Sequence, residues 1–192
     1  MSKRRWFAAA ALAALTMALA AQVGAEDSER KILLVGDSMA WSLGLEMQPL
    51  VEAGGDEFRF RHKTSDSIRA FAANNRLKED LIKYKPDVVL ISLGSNEGLI
   101  PKPESLAAPI KKIVAQVGDT PCYWIGPPMW TPDTGVVRVL EENAAPCRFF
   151  NSTPLKLDRR HDGYHPSREG SKRWAEAILA WIKANPPSEP AP

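Results

Sequence analysis

Hydrophobic and polar positions follow two alternating patterns from residue 31 onward. Short apolar runs rich in Val, Ile, Leu and aromatic residues predict buried strands. These runs are KILLV (31–35), FRF (58–60), DVVLIS (87–92), CYWIG (122–126) and the shorter RFF (148–150). The segments between them carry apolar residues at spacings of three and four, which is typical of amphipathic helices. Strands that alternate with helices predict a parallel sheet with helices on both faces.

Helical spacing is clearest near the C-terminus. Trp174, Ile178, Leu179 and Ile182 define an apolar face, and Ser167 is suited to cap the helix that carries them. Earlier segments show the same spacing, at Leu43, Met47, Leu50 and Val51, at Leu77, Leu81 and Ile82, and at Leu106, Ile110, Ile113 and Val117. We therefore expect helices between the predicted strands.

The first 25 residues have the pattern of a secretory signal peptide. Lys3-Arg4-Arg5 precedes an apolar run over 6–21, and small residues follow up to Ala25. A retained membrane helix is the alternative, but spanning a bilayer takes about 20 apolar residues, more than this run offers. We predict cleavage after Ala25, or after Ala21, and export to the periplasm or beyond without a stable membrane anchor. The route, general or twin-arginine, stays open.

Removal of residues 1–25 changes the charge of the chain. The whole sequence has 25 Lys and Arg against 23 Asp and Glu, and three of the basic residues lie in this segment. The remaining chain is therefore close to neutral and has no basic run, so nucleic-acid binding is not expected. About 167 residues suffice for one domain, predicted over 26–184. The Pro-rich segment 185–192 is predicted to be a disordered tail.

Two cysteines remain after the predicted cleavage, Cys122 and Cys147. An even pair in an exported protein favours a disulfide, whereas two buried thiols are the alternative. A closed loop of about 25 residues is expected to stabilise the fold by roughly 3 kcal/mol.

Three polar segments stand at strand ends or before the last helix. They are Gly36-Asp37-Ser38, Gly94-Ser95-Asn96-Glu97 and Asp162-Gly163-Tyr164-His165-Pro166. Because ligands bind at the carboxyl edge of a parallel sheet, we expect these segments to meet there. A serine nucleophile needs a base, commonly a histidine oriented by a carboxylate, which suits Ser38, His165 and Asp162. Asn96 is suited to an oxyanion hole.

Each of these residues also has a simpler interpretation. Ser38 could cap the helix that it precedes, and Asn96 could be a turn residue. His161 and His165 could bind a metal, but the intervening Gly163 disfavours the helix that such a pair needs, so no metal is expected. Trp41, Trp124 and Trp130 could form an aromatic wall for a sugar or acyl chain, or could belong to the core.

Together, the three segments resemble the SGNH hydrolases, also called GDSL esterases and lipases. GDS at 36–38 matches the first block of that family, GSNE at 94–97 resembles its Gly-x-Asn-Asp block, and DGYHP at 162–166 matches its terminal Asp-x-x-His block. The resemblance implies a three-layer α/β/α sandwich with a mostly parallel, flavodoxin-like, five-stranded sheet. It also implies ester hydrolysis through an acyl-enzyme at Ser38, with Asp162 and His165 completing a triad.

The resemblance further implies three oxyanion donors. They are the Ser38 backbone N–H, the Asn96 side chain and a backbone N–H of the second block. That block reads KTSDSI here, with Ser65 where the family has glycine, so Ser65 is the expected third donor. A non-glycine residue adopts positive φ with difficulty, which puts this donor in question. Glu97 replaces the usual Asp, and we expect a minor effect.

These observations favour an exported serine esterase that removes a small acyl group, such as acetyl, from carbohydrate or cell-envelope material. Alternatives are a lysophospholipase or thioesterase, which needs an apolar groove beside Ser38, an acyltransferase, and a catalytically silent carbohydrate- or partner-binding module. The expected partners are small-molecule, glycan or lipid esters, and no cofactor is implied. Because a histidine base must be neutral, activity is expected to fall below about pH 6. The oligomeric state stays open.

Overall fold

Five strands and six helices form the structure, a computed structural model that describes residues 29–186. The strands are β1 (Lys31–Gly36), β2 (Glu57–His62), β3 (Val88–Ser92), β4 (Cys122–Ile125) and β5 (Arg148–Phe150). The helices are α1 (Ser38–Glu52), α2 (Ile68–Ala73), α3 (Arg76–Tyr84), α4 (Ala107–Val117), α5 (Val136–Asn143) and α6 (Arg168–Ala184). Short 3₁₀ turns occupy Ser95–Glu97 and Pro103–Leu106.

The strands form one sheet in the order β2-β1-β3-β4-β5, and all four neighbouring pairs are parallel. The predicted flavodoxin-like arrangement is therefore confirmed, and the sheet is entirely parallel rather than mostly so. The strand order reverses between β1 and β3. A ligand crevice is expected outside the carboxyl ends of the strands at such a reversal.

Side chains that alternate along each strand divide the core into two layers. On β1, Leu33 and Val35 pack with α2 to α5, whereas Leu34 packs with α1 and α6. Tyr123 on β4 joins the second layer, and Trp124 joins the first. Because both faces of the sheet are covered, the central strands β1, β3 and β4 are almost entirely apolar, whereas the edge strand β2 alternates polar and apolar residues.

Two positions assigned to apolar helix faces lie at the surface instead. Leu50 is 36% exposed and Ile82 is 76% exposed. Each is adjacent to a residue that does face the core, Val51 in α1 and Leu81 in α3. Neighbouring helical residues are rotated by about 100° around the axis, so an apolar residue beside a buried one can still point to solvent, as Leu50 and Ile82 do.

The predicted disulfide is present in the structure. Cys122 opens β4, and Cys147 directly precedes β5, so the bond joins two neighbouring strands at their amino ends. This edge of the sheet is opposite the carboxyl ends where a ligand crevice is expected.

The predicted signal peptide and most of the predicted tail lie outside the described residues. Asn185, assigned to the tail, instead caps α6 through its backbone N–H, and its carbonyl accepts a hydrogen bond from the Tyr123 hydroxyl at 2.9 Å. Within residues 29–186, no helix is long and apolar enough to cross a membrane.

Candidate active site

Ser38 begins α1 directly after β1, at a turn that glycine makes possible. A Cβ on Gly36 would lie 1.9 Å from the Ser92 carbonyl oxygen of β3, so no side chain fits there. Asp37 then donates its backbone N–H to that same oxygen at 3.2 Å. The Asp37 carboxylate caps α1 by accepting from the Met39 N–H at 2.8 Å. Asp37 therefore does the capping that the simpler interpretation gave to Ser38.

Ser38 and His165 meet although they lie 127 positions apart in the sequence. His165 Nε2 lies 2.9 Å from Ser38 Oγ, and His165 Nδ1 lies 2.9 Å from Asp162 Oδ2. Both side chains of the first contact are half-buried, so the serine remains accessible to solvent. The structure thus brings together, in hydrogen-bonding order, the three residues named from the sequence as nucleophile, base and orienter.

Asp162 is fixed by the loop that carries His165. Its Oδ1 accepts the backbone N–H groups of Tyr164 at 2.8 Å and His165 at 3.0 Å. The hydrogen bond from the His165 side chain, with these two backbone bonds, lowers the pKa of Asp162 to about 2. The carboxyl is therefore ionised throughout the pH range in which a histidine base works.

Arg159 anchors the same loop, a role that sequence reasoning missed. Its guanidinium donates to the Pro128 and Met129 carbonyls at 2.8 Å each and also to the Tyr164 carbonyl. These hydrogen bonds connect the loop between β5 and α6 to the loop between β4 and α5. A lone arginine upstream of the motif carries no sequence signal for this role, because the carbonyls that it binds come from a distant segment.

Asn96 lies on the 3₁₀ turn after β3, next to the turn that carries Asp37 and Ser38. Its Nδ2 donates to the Asp66 carbonyl oxygen at 2.8 Å and to Asp37 Oδ2 at 3.2 Å. Asp37 Oδ2 also accepts from the Ser95 hydroxyl at 2.6 Å. The Asn96 amide is therefore held in one orientation by Asp37, from the turn that carries Ser38, and by Asp66, from the turn that carries Ser65.

Ser65 adopts the backbone conformation that the sequence comparison put in question. Its φ is +58°, in the left-handed region, even though it is not glycine. The turn is held on both sides, since Lys63 donates its N–H to the Gly36 carbonyl at 3.0 Å and the buried Asp66 forms an ion pair with the partly exposed Arg76. The replacement of glycine by serine has therefore not prevented the turn.

Glu97 has a larger structural role than its conservative replacement of Asp suggested. It is 5% exposed, and its Oε1 accepts the N–H of Ile68, the first residue of α2, at 2.7 Å. Within the described chain its Oε2 has no hydrogen-bond partner. Burial raises the pKa of Glu97 to about 7, and burial likewise raises that of Asp37 to about 6. The candidate site is therefore backed by two buried carboxyl groups, Asp37 and Glu97, whose raised pKa values disfavour their charged forms.

The three tryptophans proposed as an aromatic wall have different environments. Trp124 is fully buried and donates its indole N–H to the Leu93 carbonyl at 3.2 Å, so it belongs to the core. Trp41 and Trp130 are half-buried near the site. Trp130 packs edge-on against Tyr164 at 4.6 Å, and the Arg160 guanidinium lies 5.2 Å from the Trp41 ring. Only two of the three can contribute to a wall.

A cavity of about 110 Å³ lies beside Gly36, between β2 and the helices α2 and α3. The cavity carries charges of both signs, because its lining includes Arg61, Arg76, Glu79 and Asp80 together with apolar groups.

Within residues 29–186, no group of three or more His, Cys, Asp or Glu side chains is arranged to hold a metal ion.

Comparisons with known proteins identify the fold. No protein-family model matches the chain, and no curated protein is significantly similar to it in sequence. Solved structures do match. They include TesA, with a TM-score of 0.66 and 23% identity over 81% of this chain and 99% of that one. The psychrotrophic esterase EstA from Pseudoalteromonas sp., inhibited by monoethylphosphonate, has a TM-score of 0.62 and 19% identity over 81% of this chain and 98% of that one.

The acetyl xylan esterase AlAXEase is a third similar structure, with a TM-score of 0.63 and 14% identity over 79% of this chain and 99% of that one. Each of the three structural matches covers nearly the full length of the similar protein, so the similarity extends over the whole domain rather than a fragment. At these identities the similarity establishes the arrangement of strands and helices. The chain therefore has the α/β fold of the SGNH hydrolases, the family that its three motifs resemble.

Proposed function

We propose that the protein is an exported serine esterase that hydrolyses carboxylic esters through an acyl-enzyme on Ser38. The observation that carries the proposal is the continuous chain of contacts from Ser38 Oγ through His165 to Asp162, with both distances at 2.9 Å. A serine hydroxyl becomes a useful nucleophile when a histidine can take its proton, and a carboxylate fixes that histidine in the required tautomer.

In the acylation step, Ser38 Oγ attacks the ester carbonyl carbon while its proton passes to His165 Nε2. Asp162 stabilises the resulting imidazolium, since it stays ionised. The carbonyl oxygen becomes an oxyanion, and its proposed donors are the backbone N–H groups of Ser38 and Ser65 and the Asn96 side chain. Both hydrogens of Asn96 Nδ2 already have acceptors, so the oxyanion would replace the longer contact, the one to Asp37 Oδ2 at 3.2 Å. The position of Ser38 at the first residue of α1 favours this negative charge further, because the helix dipole is positive there.

The tetrahedral intermediate then collapses as the C–O bond to the alcohol breaks. His165 returns its proton to the leaving alcohol, and the acyl group remains on Ser38. A water molecule, deprotonated by His165, attacks this second ester, and the carboxylic acid leaves as Ser38 recovers its proton. His165 accepts a proton first from Ser38 and then from water, and it donates these protons to the leaving alcohol and back to Ser38, so the protons of the cycle balance on one residue.

The proposed substrate is an O-acetyl or similarly short acyl ester on a carbohydrate. Similarity in fold to an acetyl xylan esterase supports it, as do the half-buried rings of Trp41 and Trp130 near the site. Hydrolysis of long-chain lysophospholipids or thioesters is the second candidate within catalysis. Acetyl release without consumption of an alcohol acceptor would separate hydrolysis from acyl transfer.

Export, with removal of residues 1–25, is part of the proposal. The disulfide between Cys122 and Cys147 supports it, because such bonds persist mainly in oxidising compartments. N-terminal sequencing of the protein recovered from the periplasm or medium would test the cleavage after Ala25.

The deciding experiment labels the protein with a fluorophosphonate and measures hydrolysis of p-nitrophenyl acetate. We expect Ser38 Oγ to attack phosphorus with loss of fluoride, and peptide mass spectrometry to find the adduct on Ser38. Ser38→Ala should abolish both labelling and hydrolysis while thermal unfolding stays unchanged. Ser42→Ala is the matched control, because Ser42 is a buried serine of the same helix that makes no contact with His165.

A catalytically silent binding module is the candidate from another class. The replacement of glycine by Ser65 suggested it, but Ser65 adopts positive φ, which removes the structural reason for that suggestion. A folded protein that binds oligosaccharide yet neither reacts with the fluorophosphonate nor releases acetate would support the module and overturn the esterase proposal.

A further inference from the structure

Arg160 differs from most other arginines of the described chain in what its guanidinium contacts. Arg76 pairs with Asp66 and Arg173 pairs with Asp158. Between residues 29 and 186, the Arg160 guanidinium has no carboxylate or carbonyl partner and instead stacks on Trp41, 5.2 Å from the ring centroid. An exposed guanidinium that is held by an aromatic ring keeps its N–H edge available to an anion.

Both members of this pair are joined to the candidate active site. Trp41 follows Ser38 by three residues in α1, so the two side chains are surface neighbours with Cβ atoms about 5–6 Å apart. Arg160 donates its backbone N–H to the His165 carbonyl at 2.9 Å. The stacked pair therefore lies directly beside the contact between Ser38 and His165.

The surroundings of the pair are polar, and Lys63 adds a positive charge to them. The His62 ring lies 6.1 Å from the Trp41 ring, and the neighbouring Lys63 is exposed and bound to the Gly36 carbonyl through its N–H. The two carboxylates closest in sequence to Arg160 already have partners, since Asp158 pairs with Arg173 and Asp162 is engaged by His165. Neither therefore competes with a negatively charged ligand group for the Arg160 guanidinium.

We propose that Trp41 and Arg160 form a subsite for the alcohol half of the ester, and that this half is a sugar bearing a carboxylate, such as a uronic acid. The inference rests on the proposed esterase function and names its substrate class. The guanidinium fork fits a carboxylate through two parallel hydrogen bonds, and Trp41 holds the fork in position. Trp41 is thus a positioning residue, and Arg160 determines specificity.

A phosphate headgroup would also suit a guanidinium, but the surroundings favour the sugar. A lysophospholipid needs an apolar groove for its chain, whereas His62, Lys63 and His161 around the pair are polar and exposed. The test therefore includes a lipid among its outcomes.

The kinetic test compares two acetylated substrates that differ in charge, an O-acetylated oligogalacturonide and an O-acetylated xylo-oligosaccharide. We expect wild type to prefer the first in kcat/KM, and Arg160→Gln to lower this preference by about tenfold, as expected for a lost charge-assisted contact. Arg160→Lys should keep part of the preference, and added salt should reduce it in wild type. Arg148→Gln is the matched control, since Arg148 lies at the amino end of β5, away from the site.

A binding measurement separates this inference from the proposed function. In Ser38→Ala, calorimetry with unacetylated oligogalacturonide and xylo-oligosaccharide reports the subsite whether or not the protein is an esterase. We expect tighter binding of the acidic oligosaccharide, lost when Arg160→Gln is added. Equal binding of the two, or a preference that survives Arg160→Gln, would overturn the subsite. Stronger dependence on Arg160 for lysophosphatidylglycerol than for oligogalacturonide would overturn the choice of a sugar.

Failure of the esterase proposal would be detected by different measurements from those that test the subsite. No reaction with fluorophosphonate and no hydrolysis of p-nitrophenyl acetate would reject the chemistry, while selective binding of oligogalacturonide would leave the subsite standing.

Discussion

Asp162 holds His165 at two points, accepting from the ring Nδ1 at 2.9 Å through Oδ2 and from the backbone N–H at 3.0 Å through Oδ1. One carboxylate thus sets both the direction of the imidazole and the shape of the loop that presents it. These two tasks can be separated by a substitution that changes one oxygen.

Asp162→Asn is expected to lower kcat by about 10³- to 10⁴-fold with little change in the fold. An asparagine can keep Oδ1 as acceptor for the two backbone N–H groups. Its amide nitrogen would face Nδ1, so that nitrogen must become an acceptor and the proton must move to Nε2, which can then no longer accept from Ser38. Steady-state kinetics, with nitrogen-15 NMR of the His165 ring, would check the tautomer. Activity within tenfold of wild type would contradict the role of Asp162.

Glu97→Gln is expected to flatten the dependence of stability on pH. The pKa of Glu97 is raised in the folded state from 4.5 to about 7 by burial, so between these values the folded protein binds more protons than the unfolded chain. Stability from this group is therefore present at low pH and is lost as the pH rises through about 7. Glutamine cannot ionise, so this loss, on the order of 2 kcal/mol, should disappear.

Urea unfolding at about pH 5 and about pH 8 would measure the effect of Glu97→Gln. Glu176→Gln provides the control, because Glu176 is exposed on α6, where its Oε1 lies 4.0 Å from Lys172 Nζ. We expect the control to keep the slope of wild type. A slope that Glu97→Gln leaves unchanged would mean that burial does not disfavour the charged form of Glu97.

Ser65 offers a test of backbone strain at the second polar turn. Its φ of +58° costs an ordinary residue about 1 kcal/mol, and glycine avoids that cost but loses more chain entropy on folding. Ser65→Gly should therefore be as stable as wild type or more so by up to about 1 kcal/mol, while Ser65→Val should be less stable, because β-branched residues rarely adopt this region. Denaturant unfolding of the three proteins would rank them. A Val variant as stable as Gly would show that the turn is relaxed.

The five strands and their parallel arrangement could be predicted because buried parallel strands produce short, continuous apolar runs in the sequence. Leu33, Leu34 and Val35 are all apolar, since both faces of the sheet are covered. The boundaries were less accurate, and FRF at 58–60 grew to Glu57–His62, because an edge strand tolerates charged residues at its ends. The outward positions of Leu50 and Ile82 could not be predicted, since an apolar residue beside a helix face carries no sign of its direction.

The residues of the proposed triad were predictable from motifs, whereas the contacts that support them were not. Ser38, Asp162 and His165 belong to short recognisable segments, and the loops that carry them meet in the structure. Arg159 acts through carbonyls of a distant loop, and Asp37 replaces Ser38 as the helix cap. Such contacts depend on tertiary geometry, which residue identity alone does not encode.

The sequence separation of 127 positions between Ser38 and His165 has a consequence for biosynthesis. A ribosome completes the segment with Ser38 long before it reaches the loop with His165, and α6, which follows that loop, packs against α1, the helix that Ser38 begins. On the proposed roles, a nascent chain carries an inert serine until α6 docks. Translation therefore forms the reactive pair only after the loop with His165 has been made, and products interrupted before that loop would be harmless to acylated molecules around them.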